Sequence, residues 1–108
     1  MSILFIDDDP RRAAAFRKAH GKIFWAESAI VAAAALTFFK DGELSSIYLD
    51  CDGVRGEYLA GRIAAMDIHK SAKIIIHSSN YPGSIKMRDT LQDAGYDVEL
   101  KSFEETVA

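Results

Sequence analysis

Five aspartates stand in two short runs, each directly after an apolar segment of the chain. The runs are Asp7, Asp8 and Asp9, and then Asp50 and Asp52. If the runs meet in the fold, their charges repel one another, so either their pKa values rise or a cation binds between them. Carboxylate and carbonyl oxygens are the ligands that Mg²⁺ and Mn²⁺ prefer. We therefore predict a metal site formed by Asp7, Asp8, Asp50 and Asp52, whereas Asp9, which precedes a proline, is predicted to cap a helix.

Other polar residues follow two later apolar segments. His77, Ser78 and Asn80 follow one of them, and Lys101 follows the other. Histidine is the side chain best suited to exchange a proton at neutral pH, so His77 is predicted to be either a general acid or base or a strand-end hydrogen-bonding group. Ser78 and Asn80 can donate hydrogen bonds to phosphate oxygens, and Lys101 can pair with an acid or a phosphate. Arg12 either extends into solvent or contacts a phosphate beside the first acidic run.

Five strand-like segments alternate with helical ones. We predict strands at 3–6, 22–26, 47–49, 74–76 and 96–100, and helices at 10–20, 29–40, 56–69 and 81–94. Short apolar strands separated by helices predict a doubly wound parallel sheet of the flavodoxin-like, receiver-like α/β class, in the order 2-1-3-4-5. Ligands in such folds bind at the carboxyl ends of the strands, near the switch point between strands one and three. The polar residues above are expected to face this crevice.

Composition limits the classes of function. The 108 residues form one domain's length, and the net charge of −3 predicts no generic nucleic-acid-binding surface. A small phosphorylated ligand remains compatible with that charge. No apolar run is long enough to cross a membrane, and the first residues lack the pattern of a signal peptide. With a single cysteine, Cys51, the expected location is the cytoplasm. Cys51 is predicted to be semi-buried and unreactive, because the flanking aspartates raise its pKa.

The sequence resembles a response-regulator receiver domain at three places. Residues 3–12 resemble the receiver opening, Asp50 stands where receivers carry the phosphorylated aspartate, and Lys101-Ser102-Phe103 resembles their closing Lys-Pro-Phe. The resemblance implies that Asp8, Asp50 and the carbonyl of Asp52 hold Mg²⁺ with help from Asp7. It also implies that Lys101 contacts the acceptor or its phosphate. The sequence departs from receivers in lacking Met-Pro after Asp50 and in having His77-Ser78 where they have Thr or Ser followed by Ala.

A closer resemblance is to the divergent cyclic-phosphate-processing receiver domains. Three segments carry it, and they are Asp7-Asp8-Asp9-Pro10 with Arg12, Leu49-Asp50-Cys51-Asp52, and His77-Ser78-Ser79-Asn80-Tyr81-Pro82-Gly83 with Met87. The resemblance implies action on cyclic or terminal phosphates of nucleotides or RNA ends, so the partner is a phosphorylated small molecule or an RNA end. Cys51 replaces a histidine found in many members. If that histidine is catalytic, this chain is a binder or an inactive relative.

Three functions therefore stay open. The first is a divalent-metal-dependent phosphoesterase or binding domain, in which Asp50, His77 and Lys101 are catalytic and Arg12, Ser78 and Asn80 grip phosphate. The second is a stand-alone receiver that signals through phosphorylation of Asp50. The third is an inert interaction module, which a crevice plugged by apolar side chains would favour.

The tail yields a prediction about assembly. Only seven residues follow Lys101, so we predict that the final receiver helix is missing and that part of one sheet face lies bare. Exposed apolar faces of this kind usually mark interfaces, and a symmetric dimer is the commonest way to cover them. We therefore expect a homodimer that buries the face near strands four and five together with Phe103. The alternative is a tail that folds across the gap in a monomer.

Overall fold

Strands and helices alternate along the whole chain in the computed structural model, which describes residues 1–108. The elements are β1 (Ser2–Ile6), α1 (Pro10–His20), β2 (Phe24–Ala26), α2 (Ala29–Phe38), β3 (Leu44–Leu49), α3 (Gly56–Met66), β4 (Lys73–His77), α4 (Tyr81–Asp93), β5 (Asp97–Lys101) and α5 (Phe103–Val107). All neighbouring strands are parallel, in the order β2-β1-β3-β4-β5. The predicted flavodoxin-like, receiver-like topology is confirmed.

Side-chain caps fix where three of the helices begin. Asp9 accepts a hydrogen bond from the backbone of Arg11 at the start of α1, Ser28 caps α2, and Asn80 accepts from the backbone of Gly83 at the start of α4. Each cap satisfies a backbone N–H that a helix leaves free in its first turn. Because the caps follow strand ends directly, they hold the polar loops at one edge of the sheet.

Alternate residues of the strands pack on opposite faces of the sheet. Leu4 and Ile6 belong to a core of twenty buried residues that also includes residues of α2, α3 and α4. Phe5, between them in sequence, packs on the other face with Ala13 and Phe16 of α1. This period of two is the geometry of a strand that is buried on both sides.

The tail forms the short helix α5, so the prediction of a missing final helix was wrong. Ser102 and Glu105 form a reciprocal capping box at its start, which supplies the hydrogen bonds that so short a helix lacks. Phe103 and Val107 pack against the cluster of Phe5, Ala13 and Phe16. Tertiary packing thus stabilises a helix that would not form alone.

The face of β4 and β5 beside α5 is charged, not apolar. The Nζ of Lys73 lies 3.4 Å from Glu99 and 3.6 Å from Asp97, and the Nζ of Lys101 lies 3.8 Å from Glu99. The tail and these ion pairs together cover the surface on which the expected homodimer depended. The bare apolar face that the expectation assumed is therefore absent, and the homodimer itself stays a prediction.

None of the helices has the length and apolar character needed to cross a bilayer.

Candidate functional site

Asp7, the residue after β1, is fully buried and held from several directions. Arg12 donates to it twice, from Nε to Oδ2 at 2.8 Å and from Nη2 to Oδ1 at 2.9 Å. The backbone N–H of Asp9 also donates to Oδ1, and Nε2 of His77 lies 3.0 Å from Oδ2. Burial acts to raise the pKa of Asp7, but the hydrogen bonds from His77, Arg12 and Asp9 outweigh it and lower the pKa to about 2. Asp7 is therefore a fixed anion.

Asp50, the residue after β3, has the opposite electrostatics. Its side chain is also buried, with Oδ1 accepting from the backbone N–H of Cys51 at 2.9 Å. Oδ2 has only one contact, Nη2 of Arg12 at 3.4 Å. Burial and then the charge of Asp7 raise the pKa of Asp50 to about 7. The guanidinium of Arg12 thus contacts both carboxylates, and its hydrogen bond to Asp50 is longer than its two hydrogen bonds to Asp7.

His77 ends β4 and lies inside the same cluster. Its ring stacks on Phe5, with centroids 5.1 Å apart and an angle of 7° between the planes. Nε2 faces Asp7, whereas Nδ1 is buried and has no hydrogen-bond partner. Ligand atoms of Asp7, Asp50 and His77 all lie within 4.8 Å of one another. The ends of β1, β3 and β4 therefore converge at the predicted switch point.

Asp8 and Asp52 border this cluster nearer to solvent. The carboxylate of Asp8 occupies the space beside the α-carbon of Gly53, where a Cβ would lie 2.1 Å from its Oδ2. Gly53 also has a φ of +77°, so the loop needs glycine for both reasons. Asp52 accepts a hydrogen bond from Nδ2 of Asn80 at 3.1 Å, which ties the loop after β3 to the start of α4. Asn80 thus positions Asp52 as well as capping its helix.

An open cavity of about 420 Å³ lies over these groups. Its lining includes Arg12, Asp50, Asp52, His77, Ser78, Ser79, Ser102 and Glu104, with Phe103 as the one apolar residue. Sequence reasoning missed Ser79, Ser102 and Glu104. The last two belong to the tail, whose Ser-x-x-Glu capping signal at 102–105 indicates an ordered helix start.

Lys101 lies to one side of the acidic cluster. It lines a neighbouring cavity of about 320 Å³ together with Tyr81 and Ser84, and its closest carboxylate is that of Glu99. Ser78 lines both cavities, which adjoin. The cation in contact with Asp7 and Asp50 is therefore Arg12.

Cys51 is a packing residue between two helix starts. A Cβ on Gly83 would lie 2.6 Å from its Sγ, and one on Gly56 would lie 2.7 Å from its Cα. Burial, followed by the charges of Asp52, Glu57 and Asp50, raises the pKa of the thiol. The buried position leaves Cys51 without the exposure that a reactive thiolate needs.

The donor set fits a hard divalent cation. The carboxylates of Asp8 and Asp50 keep oxygens that no strong hydrogen bond occupies, since the nearest cation is Nη2 of Arg12, at 3.9 Å from Asp8 and 3.4 Å from Asp50. Both oxygens of Asp7 are already bound by Arg12 and His77. A metal would therefore be held directly by Asp8 and Asp50, with Asp7 and Asp52 acting through water.

Comparison with known proteins finds a similar fold among the solved structures. No family model matches the sequence, and no curated protein matches it either. The structure is similar to that of the Francisella response regulator 1452 receiver domain, with a TM-score of 0.70 and 18% sequence identity. The match covers 98% of this chain and 89% of that one. The chain therefore has the fold of a response-regulator receiver domain.

Proposed function

We propose that this receiver-like domain binds phosphate esters in the cavity over Asp50 and, with a divalent metal, hydrolyses cyclic or terminal phosphates of nucleotides or RNA ends. One observation carries the proposal: a guanidinium and several serines line the same open cavity as a buried carboxylate. Arginine and hydroxyl groups are common ligands of phosphate oxygens.

The side chains that would bind phosphate are those whose hydrogen-bond donors are not already used within the protein. Arg12 uses Nε and Nη2 on Asp7, so the remaining N–H groups of its guanidinium are available to a phosphate. Ser78 accepts from the backbone of Asn80 through Oγ, which leaves its hydroxyl proton to donate. Asn80 acts indirectly, since its amide holds Asp52. Lys101, in the adjoining cavity, contacts a distal part of the ligand or its second phosphate.

The metal, Mg²⁺ or Mn²⁺, would be held by Asp8 and Asp50, and when bound it supplies positive charge to the phosphate oxygens.

His77 is the proton carrier of the site. Its ring lines the cavity, and Nε2 lies 3.0 Å from Oδ2 of Asp7, which fixes the orientation of the imidazole. Water adds to phosphorus, the bond to the leaving oxygen breaks, and the proton lost by water passes through His77 to that oxygen.

A screen of metal-dependent hydrolysis tests this proposal. The substrates are 2′,3′-cyclic nucleotides, nucleotides with a terminal phosphate, and RNA ends that carry a cyclic phosphate. Each is assayed with Mg²⁺, Mn²⁺ or EDTA. We expect product only with metal, and we expect His77→Ala to lower turnover by roughly 10²–10⁴-fold while metal binding persists. Equal rates in the wild type and His77→Ala would remove His77 from the chemistry. The proposal is overturned if the domain neither binds nor hydrolyses any phosphate ester.

A second function is favoured by the fold and by the location of Asp50 at the end of β3. In that function the domain is a phospho-accepting receiver, and Asp50 forms an acyl phosphate. Treatment with acetyl phosphate and Mg²⁺, followed by mass spectrometry, separates the two. A base-labile phosphate on Asp50 supports signalling, whereas an unlabelled Asp50 together with ester hydrolysis supports the enzyme. The inert module has little support, because the cavity is lined almost entirely by polar side chains.

A further inference from the structure

Helix α2 exposes an apolar face. Residues 29–39 contain no charged side chain, although α2 lies on the surface of the domain. Ile30 is 84% exposed and Phe38 is 74% exposed, with the exposed Ala34 between them on the same face. A helix that is apolar all round is normally buried. The outer face of α2 is therefore an unpartnered surface.

Further exposed apolar residues adjoin this face. Four of the six large hydrophobic side chains that the chain exposes lie on or beside α2, and they are Phe24, Ile30, Phe38 and Tyr58. Phe39 links the aromatic end, with its ring centroid 5.5 Å from that of Phe24 and 5.3 Å from that of Phe38. Tyr58 and Ile30 line a shallow groove of about 270 Å³. Clustering of this kind marks an interface, whereas scattered apolar residues do not.

We propose that this α2 patch, formed by Phe24, Ile30, Ala34, Phe38 and Tyr58, is the interface of a homodimer with two antiparallel copies of α2. The spacing of the exposed residues is self-complementary. Ile30 and Phe38 lie four residues to either side of Ala34, so a two-fold axis at Ala34 packs Ile30 of each copy on Phe38 of the other. The small side chain of Ala34 lets the two helices approach at the axis.

The charges that flank α2 favour the same arrangement. Glu27 precedes the helix and Lys40 follows it, and both side chains are exposed. Antiparallel packing brings Glu27 of one copy near Lys40 of the other at both ends. Parallel packing would place like charges together. Two arginines, Arg55 and Arg62, line the groove of Ile30 and Tyr58, and the guanidinium of Arg55 lies over the ring of Tyr58, 4.7 Å from its centroid.

The size of the patch sets the expected affinity. A helix of ten residues is about 15 Å long. One face of such a helix, with its neighbours, buries less than the roughly 800 Å² per partner of a standard interface. We therefore expect a reversible dimer whose population rises with concentration, and not an obligate one.

Light scattering behind size exclusion and sedimentation velocity test the dimer. The wild type should pass from the monomer mass of 11.9 kDa toward twice that mass as its concentration rises through the micromolar range. Phe38→Glu should remain monomeric throughout and keep the wild-type circular dichroism spectrum, since the side chain is exposed. Tyr81→Glu, an exposed aromatic outside the patch, is the matched control and should still dimerise. A wild type that is monomeric at every concentration overturns the proposal, and so does a Phe38→Glu variant that still dimerises.

Disulfide trapping tests the position of the axis. Ala34→Cys should form a disulfide-linked dimer under mild oxidation because the two cysteines meet near the axis. Ala14→Cys, an exposed alanine on α1, is the control and should not cross-link above background. The native Cys51 is buried and adds little background. Equal cross-linking of the two variants would rule out the antiparallel α2 pairing.

Discussion

Arg12 and Asp7 form a two-point ion pair inside the acidic pocket, with N–O distances of 2.8 and 2.9 Å. The pairing places a guanidinium beside both Asp7 and Asp50, where it reduces the repulsion between these two buried carboxylates. It also leaves Asp50 the less compensated of the two buried carboxylates, with Nη2 of Arg12 at 3.4 Å. The receiver resemblance implied a different cation, Lys101, in contact with the acceptor aspartate. In this chain Lys101 lies nearer to Glu99, so we expect Arg12 to carry the electrostatic role.

Replacing Arg12 should weaken both folding and phosphate binding. Breaking a fully buried ion pair costs about 3–5 kcal/mol. Arg12 is 37% exposed, so solvent screening reduces the expected loss to about 2 kcal/mol for Arg12→Ala. Urea unfolding measures this loss, and nucleotide binding measured by calorimetry should fall in the same variant. The control is Arg11→Ala, because the Arg11 side chain is 92% exposed and its removal should change neither quantity.

The stability of the metal-free domain should depend on pH through Asp50. Its pKa is about 7 when folded, against an ordinary value of 3.8. Because the folded state then binds more protons than the unfolded state, the free energy of unfolding falls as pH rises from about 4 to about 7. Asp50→Asn should abolish this slope and be more stable than the wild type above pH 7. Unfolding by urea in EDTA at several pH values measures it, and a slope that survives in Asp50→Asn would contradict the assignment.

Asp7 should act in the opposite direction at lower pH. Its pKa is about 2 when folded, so its contribution to stability is present above about 4 and is lost as pH falls toward 2. The same titration extended into acid tests this, and Asp7→Asn should lose the acid-side decline. The variant should also be less stable than the wild type at neutral pH, since Arg12 and His77 lose their anionic partner.

Metal binding should stabilise the domain by mass action. Mn²⁺ or Mg²⁺ at a hundredfold excess over its dissociation constant adds about 2.7 kcal/mol to the free energy of unfolding. Melting curves with metal and with EDTA measure the shift, which Asp8→Ala and Asp50→Ala should reduce or remove. Asp89→Asn, on the exposed surface of α4 beside Arg88, is the control and should show the wild-type shift. A shift of the same size in Asp50→Ala would place the metal elsewhere.

The sequence was sufficient to predict the sheet order and the meeting of two acidic runs, because both depend on backbone topology. Apolar strands alternate with capped helices, and the ends of parallel strands lie at one edge. The partners of each side chain could not be predicted in the same way. Whether Arg12 or Lys101 reaches Asp50 depends on rotamers of long side chains and on Glu99, which competes for Lys101.

The tail shows a different limit. A count of seven residues argued against a helix, because an isolated helix of that length is unstable. The counterargument was present in the sequence as Ser102 and Glu105, which form the capping box. What could not be read from the tail alone was the apolar cluster of Phe5 and Phe16 on which Phe103 packs. Long-range packing, and not local propensity, decided this element.

Gly53 tests whether the position of Asp8 matters for the metal. An added Cβ at Gly53 would lie 2.1 Å from Oδ2 of Asp8, so Gly53→Ala must displace that carboxylate. Gly42→Ala is the matched control, because its φ of +89° is similar to the +77° of Gly53 and nothing lies within 4 Å of the new Cβ. Both variants should lose about 1 kcal/mol of stability from the left-handed backbone. Only Gly53→Ala should also bind Mn²⁺ roughly tenfold more weakly, as expected when a ligand is misplaced. Calorimetric titration with Mn²⁺ gives both affinities, and equal affinities would show that Asp8 is not a metal ligand.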